Sequence, residues 1–436
     1  MVAHSAEFGR IGARRPEFQL DRRSSWFDTL IVGAILAAIL FNLVLGPLTV
    51  IGVFGAVGAF CLLRWERLPG MVLECWPLLL LPAMALASAL WSEVPFTTLR
   101  YGFLFAITTF AGIIVGAGVR RTSCINGYFF AFATYSVASI LFGRWVGWGD
   151  GPGDAFAGLA GSKNASGDMA GVATFVTIVF IWVMLKKRRL VAALGVSALL
   201  PILAWILISS KATGALIATT LASACLIAWL VSARLAPQAR GGIFVASAII
   251  ATLALVSQSL WLEPIFDLVL DASGKDAGLT GRSDLWAFGD NLIAERPWLG
   301  LGYHAFWLEE NVDARYLWDM MGIAGHQGFN FHNTAMEIVI HLGYVGLVLA
   351  AIVAATSVAM LVFRSIRAPG FSNILACTLC FFFAVKMPFE VVGFDTMHFA
   401  TVSIFAALAI GLRRDGAGSL RSARLRPRAI RRRKLA

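Results

Sequence analysis

The run Asn330-Phe331-His332-Asn333-Thr334-Ala335-Met336-Glu337 gathers the side chains best suited to proton chemistry. Thr334 with Glu337 three residues on, just ahead of an apolar stretch, has the capping-box spacing that starts a helix. His332 then stands at the positive end of the helix dipole. That field disfavours imidazolium, keeps the ring a neutral base and favours a nearby anion. The plainer alternative is an interfacial histidine bonded to a loop carbonyl.

Groups that could hold an anion lie upstream. In Gly281-Arg282-Ser283-Asp284-Leu285-Trp286, Arg282 precedes an amphipathic pattern, and its fork of donors suits phosphate oxygens. A salt bridge to Asp284 or Glu295 would be the structural alternative. Ser209-Ser210-Lys211 ends an apolar run with a cation that must snorkel, pair with a carboxylate or meet an anion. Lys163-Asn164 closes a Gly-rich loop, and Arg100 lies near the start of another apolar run. Lys386 and Glu390, one turn apart, are placed to pair with each other. Pro297-Trp298-Leu299-Gly300-Leu301-Gly302 resembles a nucleotide loop only superficially, because no strand precedes it and the third glycine is missing. There is no HExxH, no Cys/His cluster and no GxxxxGK[ST], so neither a metal nor any other cofactor is expected.

The elements that must position these groups are apolar. Of the 436 residues 58% are hydrophobic and 14% charged, against roughly 25% charged in soluble proteins, so the chain reads as an integral membrane protein. Apolar runs fall at about 27–45, 47–63, 73–91, 97–117, 126–143, 168–185, 190–209, 215–232, 242–260, 343–363, 371–388 and 396–412. Each fits a spanning helix. With the amino terminus inside, alternate connections and both tails are basic and hold 27 of the 36 Lys and Arg, as the positive-inside rule requires. The polar first 26 residues do not read as a cleavable signal, which leaves the first span as the insertion signal. The basic tails suit anionic lipid headgroups, and no base-reading motif accompanies them, so nucleic acid is not an expected partner.

The expected architecture is an all-α polytopic membrane protein of about twelve transmembrane helices with one large periplasmic loop subdomain. Its parts are a basic tail over 1–26, spans one to nine over 27–260, the large loop over 261–335, spans ten to twelve over 336–412 and a second basic tail over 413–436. The loop has its own helical rhythm at Leu285, Phe288, Leu292 and Ile293, ended by Pro297. The six cysteines fall in spans or inside, so no disulfide framework is expected, and Cys377 and Cys380 read as packing.

Read in order, LWSEVPFTTLR at 90–100, SKNASG at 162–167, SSKATGAL at 209–216, TGRSDLWAFGDNLIAERPWLGLGYHAFW at 280–307 and FHNTAMEIVIHLGYVGLVLA at 331–350 resemble the O-antigen ligases and Wzy-type polysaccharide polymerases. The resemblance spans about 27–412. It implies an inverting, metal-independent glycosyl transfer at the periplasmic face of the bacterial inner membrane. The donor it implies is an undecaprenyl diphosphate-linked glycan, and the acceptor a hydroxyl of a growing glycan or of a lipid core. His332 matches the motif histidine that acts as base and Arg282 the loop arginine that binds diphosphate. Lys211, Arg100 and Lys163 are expected to join Arg282 on the diphosphate, with Asn333, Glu337 and Asn164 as positioning residues. Lys211 stands where ligases more often have arginine, and Lys163-Asn164 is more similar to exopolysaccharide polymerases, so polymerase is the leading expectation. A flippase and a chain-length regulator are the implied protein partners.

Twelve spans with inside termini also describe many secondary transporters. Those usually show two related halves with polar residues near the midplane. Here the charge collects at outer helix ends, and the largest loop follows the ninth run, so the halves do not match.

Overall fold

The computed structural model describes residues 25–147, 153–257, 281–323, 325–326 and 329–414. Both tails, apart from residues 25–26 and 413–414, and the first part of the large loop, with Lys275, lie outside the described residues. Among the described residues seven helices are long and apolar enough to cross a membrane, and four shorter apolar helices accompany them: Trp26–Leu40, Leu48–Leu63, Phe371–Lys386 and Phe399–Leu412. Helix is the form these runs must take in lipid, because it satisfies every backbone polar group within the segment. The outward faces stay apolar. Val191 is 88% exposed and Leu62 77% exposed, which is tolerable only where the surrounding solvent is hydrocarbon. The chain is thus a multi-pass membrane protein.

Four departures from the expected pattern have physical causes. The run at 73–91 is helical from further upstream and is interrupted at Trp76–Leu79 by a 3₁₀ turn. Pro77, which has no backbone N–H to give, sits in that turn. The Gly-rich loop carries a short hairpin, with Arg144–Gly147 paired antiparallel to Asp154–Gly158, in an otherwise helical fold.

The helix leading into the tenth run begins at Thr334, with Asn333 rather than Thr334 as its N-cap. The Asn333 side chain accepts from the Met336 N–H at 3.1 Å. Thr334 is diverted from capping because its Oγ1 donates to the Glu390 carbonyl at 2.7 Å and accepts from the Val392 N–H at 3.0 Å.

This helix, Thr334–Arg367, is broken at Gly343, where φ is 67°. The break explains the Pro297–Gly302 segment, which lies against it as a latch. Tyr344 donates to the Pro297 carbonyl at 2.8 Å, and the Leu301 and Gly302 N–H groups reach the Ile340 and His341 carbonyls at 2.8 and 3.0 Å. A Cβ at Gly343 would stand 2.0 Å from the Trp298 carbonyl oxygen, so only glycine permits this approach.

Beyond the break, Leu285, Leu292, Phe306, Leu317, Trp318 and Phe331 form a separate apolar cluster with Ile340. It is built on helices Arg282–Glu295 and Val312–Met320. That cluster is the platform on which the His332 segment rests.

Candidate active site

A cavity of about 1040 Å³ opens beside His332, at the end of the bundle where helices Pro95–Ile113 and Lys163–Lys186 begin. His332 lines it with φ of +50°, a left-handed conformation that a β-carbon disfavours. Surrounding bonds hold it there. Its N–H donates to Asn330 Oδ1 at 2.8 Å. On the preceding residue, the Phe331 N–H donates to Glu337 Oε2 at 2.9 Å and the Phe331 carbonyl accepts from Trp286 Nε1 at 2.8 Å. The Arg282–Trp286 segment is thus joined to the one carrying His332 by a hydrogen bond from an indole N–H to a backbone carbonyl. Glu337 is only 5% exposed and acts on the backbone next to His332. Its other oxygen lies 3.3 Å from His341 Nε2.

Glu390 is the centre of the arrangement. Its Oε2 lies 3.1 Å from His332 Nδ1, and its Oε1 accepts from Asn164 Nδ2 at 2.9 Å and sits 3.5 Å from an Arg282 guanidinium nitrogen. Arg282 also donates to the Phe389 carbonyl at 2.8 Å. Three residues expected at the site therefore converge on one carboxylate. Arg282 pairs with neither Asp284 nor Glu295. Burial would push the Glu390 carboxyl up, but the hydrogen bond and charge of His332, with Lys386 and Arg282, hold it below its ordinary value. When the ring is neutral, an ionised Glu390 takes the hydrogen bond from Nδ1–H, so that Nε2 carries the lone pair. This is the form a general base needs.

The expected Lys386–Glu390 pair does not form. Lys386 Nζ instead reaches Asp168 Oδ1 at 2.6 Å, tying helix Phe371–Lys386 to helix Lys163–Lys186. Helix Lys163–Lys186 begins at Lys163, capped by Ser162, and Asn164 follows in the first turn. Lys163 itself does not line the cavity. Lys211, with φ of +52°, donates to the Gly153 carbonyl at 3.3 Å. Arg100 is exposed, its guanidinium carbon 5.7 Å from the Tyr101 ring centre, and Tyr101 is a cavity residue. Of the expected residues, His332 and Asn164 line the cavity and Arg282 abuts it through Glu390. Lys211, Lys163 and Arg100 stay outside its lining.

Several cavity residues escape a reading of local spacing. Tyr101 stacks on His304 at 4.3 Å, and the His304 N–H donates to His341 Nδ1 at 2.7 Å. Burial, with His341 behind it, pushes the His304 imidazole down to about 3. Asp395 lies on the same connection as Glu390. Burial first, and then the charges of Glu337 and Glu390, push its carboxyl up to about 7. The available signal was two carboxylates in the short connection between the last two apolar runs. Among the described residues no group of three or more His, Cys, Asp or Glu is placed to hold a metal ion.

Two comparisons place the chain beside known proteins. Residues 198–351 match the family model described as O-antigen ligase. That stretch includes Lys211, Arg282, His332, Asn333 and Glu337 and leaves Arg100, Asn164 and Glu390 outside it. The chain is 27% identical over 315 residues to the exopolysaccharide production protein ExoQ of Rhizobium meliloti (strain 1021), covering 72% of this chain and 71% of that one. The two matches bear out the resemblance to O-antigen ligases and polysaccharide polymerases.

Proposed function

We propose that this chain is a glycosyltransferase that moves a glycan from undecaprenyl diphosphate to an acceptor hydroxyl at the periplasmic face of the inner membrane. The observation that carries the reading is the His332–Glu390 pair, 3.1 Å apart on the wall of a cavity of about 1040 Å³. His332 Nε2 takes the proton of the acceptor hydroxyl as its oxygen attacks the anomeric carbon of the donor sugar. The bond from that carbon to the diphosphate breaks, and the diphosphate leaves with the electron pair. The anomeric centre inverts, and the proton passes from His332 to water. A positioned base supplies roughly 10²- to 10⁴-fold.

Glu390 fixes the ring and stabilises the imidazolium that forms. Arg282 keeps unused guanidinium donors for the diphosphate, and Lys211, Lys163 and Arg100 add positive charge around the cavity mouth, where leaving-group charge develops. Asn164, Asn333 and Glu337 hold Glu390, the helix start and the Phe331 backbone. The diphosphate is already a good leaving group, so the scheme needs no metal ion. Twelve spans with both termini cytoplasmic fit the 27 of 36 basic residues on one side and orient the cavity outward. A flippase would deliver the donor, and a chain-length regulator would set the product size.

Polymerisation of an exopolysaccharide is favoured over transfer to a lipid core by Lys211, which stands where ligases more often carry arginine. The relative named for exopolysaccharide production points the same way. Incubating the purified chain with a lipid-diphosphate oligosaccharide and resolving the glycans tests the reading. A ladder of repeat multiples is expected. A single transfer to lipid core would make it a ligase, and no transfer to any acceptor would remove the reading.

A further inference from the structure

The charge on the cavity wall is opposite to that of the donor. Five carboxylic side chains line it: Asp168, Glu309, Glu310, Glu390 and Asp395. No lysine or arginine is among its described lining residues. Glu390 is matched by His332 and Arg282, and Asp168 by Lys386. Among the described residues the side chains of Glu309, Glu310 and Asp395 form neither a hydrogen bond nor an ion pair, and His304 on the same wall is neutral. Glu309 and Glu310 therefore leave uncompensated negative charge on the wall, while burial pushes the Asp395 carboxyl up to about 7. A diphosphate is repelled from such a wall and drawn to Arg282, which meets the wall through Glu390, and to Lys163 and Arg100, which adjoin the lining residues Asn164 and Tyr101.

The same wall has what a sugar needs. The stacked Tyr101–His304 pair and Trp307 are cavity residues whose rings can receive the apolar C–H face of a pyranose. Among the described residues the indole N–H groups of Trp307 and Trp318 have no hydrogen-bond partner, and Trp318 is only 1% exposed. A ligand rich in hydroxyls satisfies such donors while giving its own protons to carboxylates.

We infer that the cavity is the acceptor subsite and selects an uncharged glycan end, rejecting one that carries a carboxylate or phosphate. The assignment rests on the proposed transfer reaction, since it places the hydroxyl-bearing sugar beside the base His332. The anionic donor head is held apart from it at the rim.

Two acceptor oligosaccharides of equal length, one neutral and one carboxylated on its terminal sugar, separate the possibilities with the full-length protein. Each is measured first for binding without donor, by saturation-transfer NMR, and then for transfer from lipid-diphosphate oligosaccharide. The neutral acceptor is expected to bind and react at least tenfold better. In the doubly substituted Glu309→Gln, Glu310→Gln protein the gap should narrow at least threefold while the KM for donor stays unchanged. Both side chains are exposed, so folding is not at risk. Equal use of both acceptors, or a changed donor KM in place of a changed acceptor preference, would overturn the inference. Selective binding of the neutral acceptor without any transfer would retain the subsite and remove the proposed reaction.

Discussion

Asp28 and Glu390 are carboxylates at opposite ends of the bundle, each drawing in several positively polarised groups. Asp28 has no exposed surface. Arg64 Nε lies 3.5 Å away, an Arg67 guanidinium nitrogen 3.3 Å, and the Arg120 backbone N–H donates at 3.2 Å. Its partners are committed elsewhere as well: the same Arg67 nitrogen donates to the Gly118 carbonyl at 2.9 Å, and the Arg64 guanidinium lies 4.8 Å from the Phe27 ring centre. Glu390 keeps 18% of its side-chain surface, and one of its partners is a histidine whose second nitrogen is left for the cavity. Permanently charged guanidinium groups close one carboxylate into a staple between chain segments. A titratable partner turns the other into a device that can accept a proton. The distinction lies in the partner, since both carboxylates meet guanidinium groups and only Glu390 also meets a histidine.

The largest effect should come from breaking that distinction at the histidine. His332→Ala is expected to lower glycan transfer on the order of 10²- to 10⁴-fold with membrane insertion intact, because the residue precedes its helix. His332→Gln should fail as well, since an amide cannot take the proton. Transfer rate and protein yield in purified membranes check both.

Matched substitutions at the two carboxylates should then separate function from stability. Glu390→Gln loses roughly 10²- to 10⁴-fold in kcat, because the ring loses its orientation and its counter-charge. Asp28→Asn leaves kcat unchanged but costs about 1.5–3 kcal/mol of stability, the range for a lost hydrogen bond to a charged group. Thermal denaturation beside the transfer assay reads both. Equal losses of kcat at the two positions would erase the comparison.

Smaller effects belong to the cations. Arg282→Ala and Lys211→Ala should raise the KM for donor several-fold, whereas Lys211→Arg is tolerated, with Arg282→Ala the stronger because it also loosens Glu390. Unchanged kinetics across donor concentration in both alanine variants would leave these two residues structural.

The smallest effect concerns Asp395. Its folded carboxyl titrates near 7, above the unfolded value, so folding favours its protonated form. Stability should fall as pH rises from about 4, the unfolded value, through 7. Asp395→Asn removes that dependence. The variant should melt higher than wild type at pH 8 and equally at pH 4, which a pair of melting curves determines.

What could be read from the sequence was what is local. Apolar runs announce helices, and His332 at a helix start and Arg282 ahead of an amphipathic turn announce themselves by spacing. The Glu390 hub could not be read so, because its bonds to His332 and Asn164 join residues 58 and 226 positions apart. Local spacing offered Lys386 as its partner. The fold gave Lys386 to Asp168 across two helices instead. The capping box misled for the same reason, since Thr334 is occupied by the Glu390 connection and Asn333 takes the cap. Gly343 looked like an ordinary residue of an apolar run until the Trp298 carbonyl was found against it. The acid lining of the cavity brings together residues from 168 to 395, an arrangement that only the packed helices create.

Whether Glu390 acts through His332 is tested most directly by a double-mutant cycle on the transfer rate, using wild type, His332→Ala, Glu390→Gln and the double variant. The double variant is expected to be no slower than His332→Ala alone, because a carboxylate that works by orienting the ring has nothing left to orient. Losses that multiply, each substitution costing its full factor in the presence of the other, would contradict a single catalytic pair.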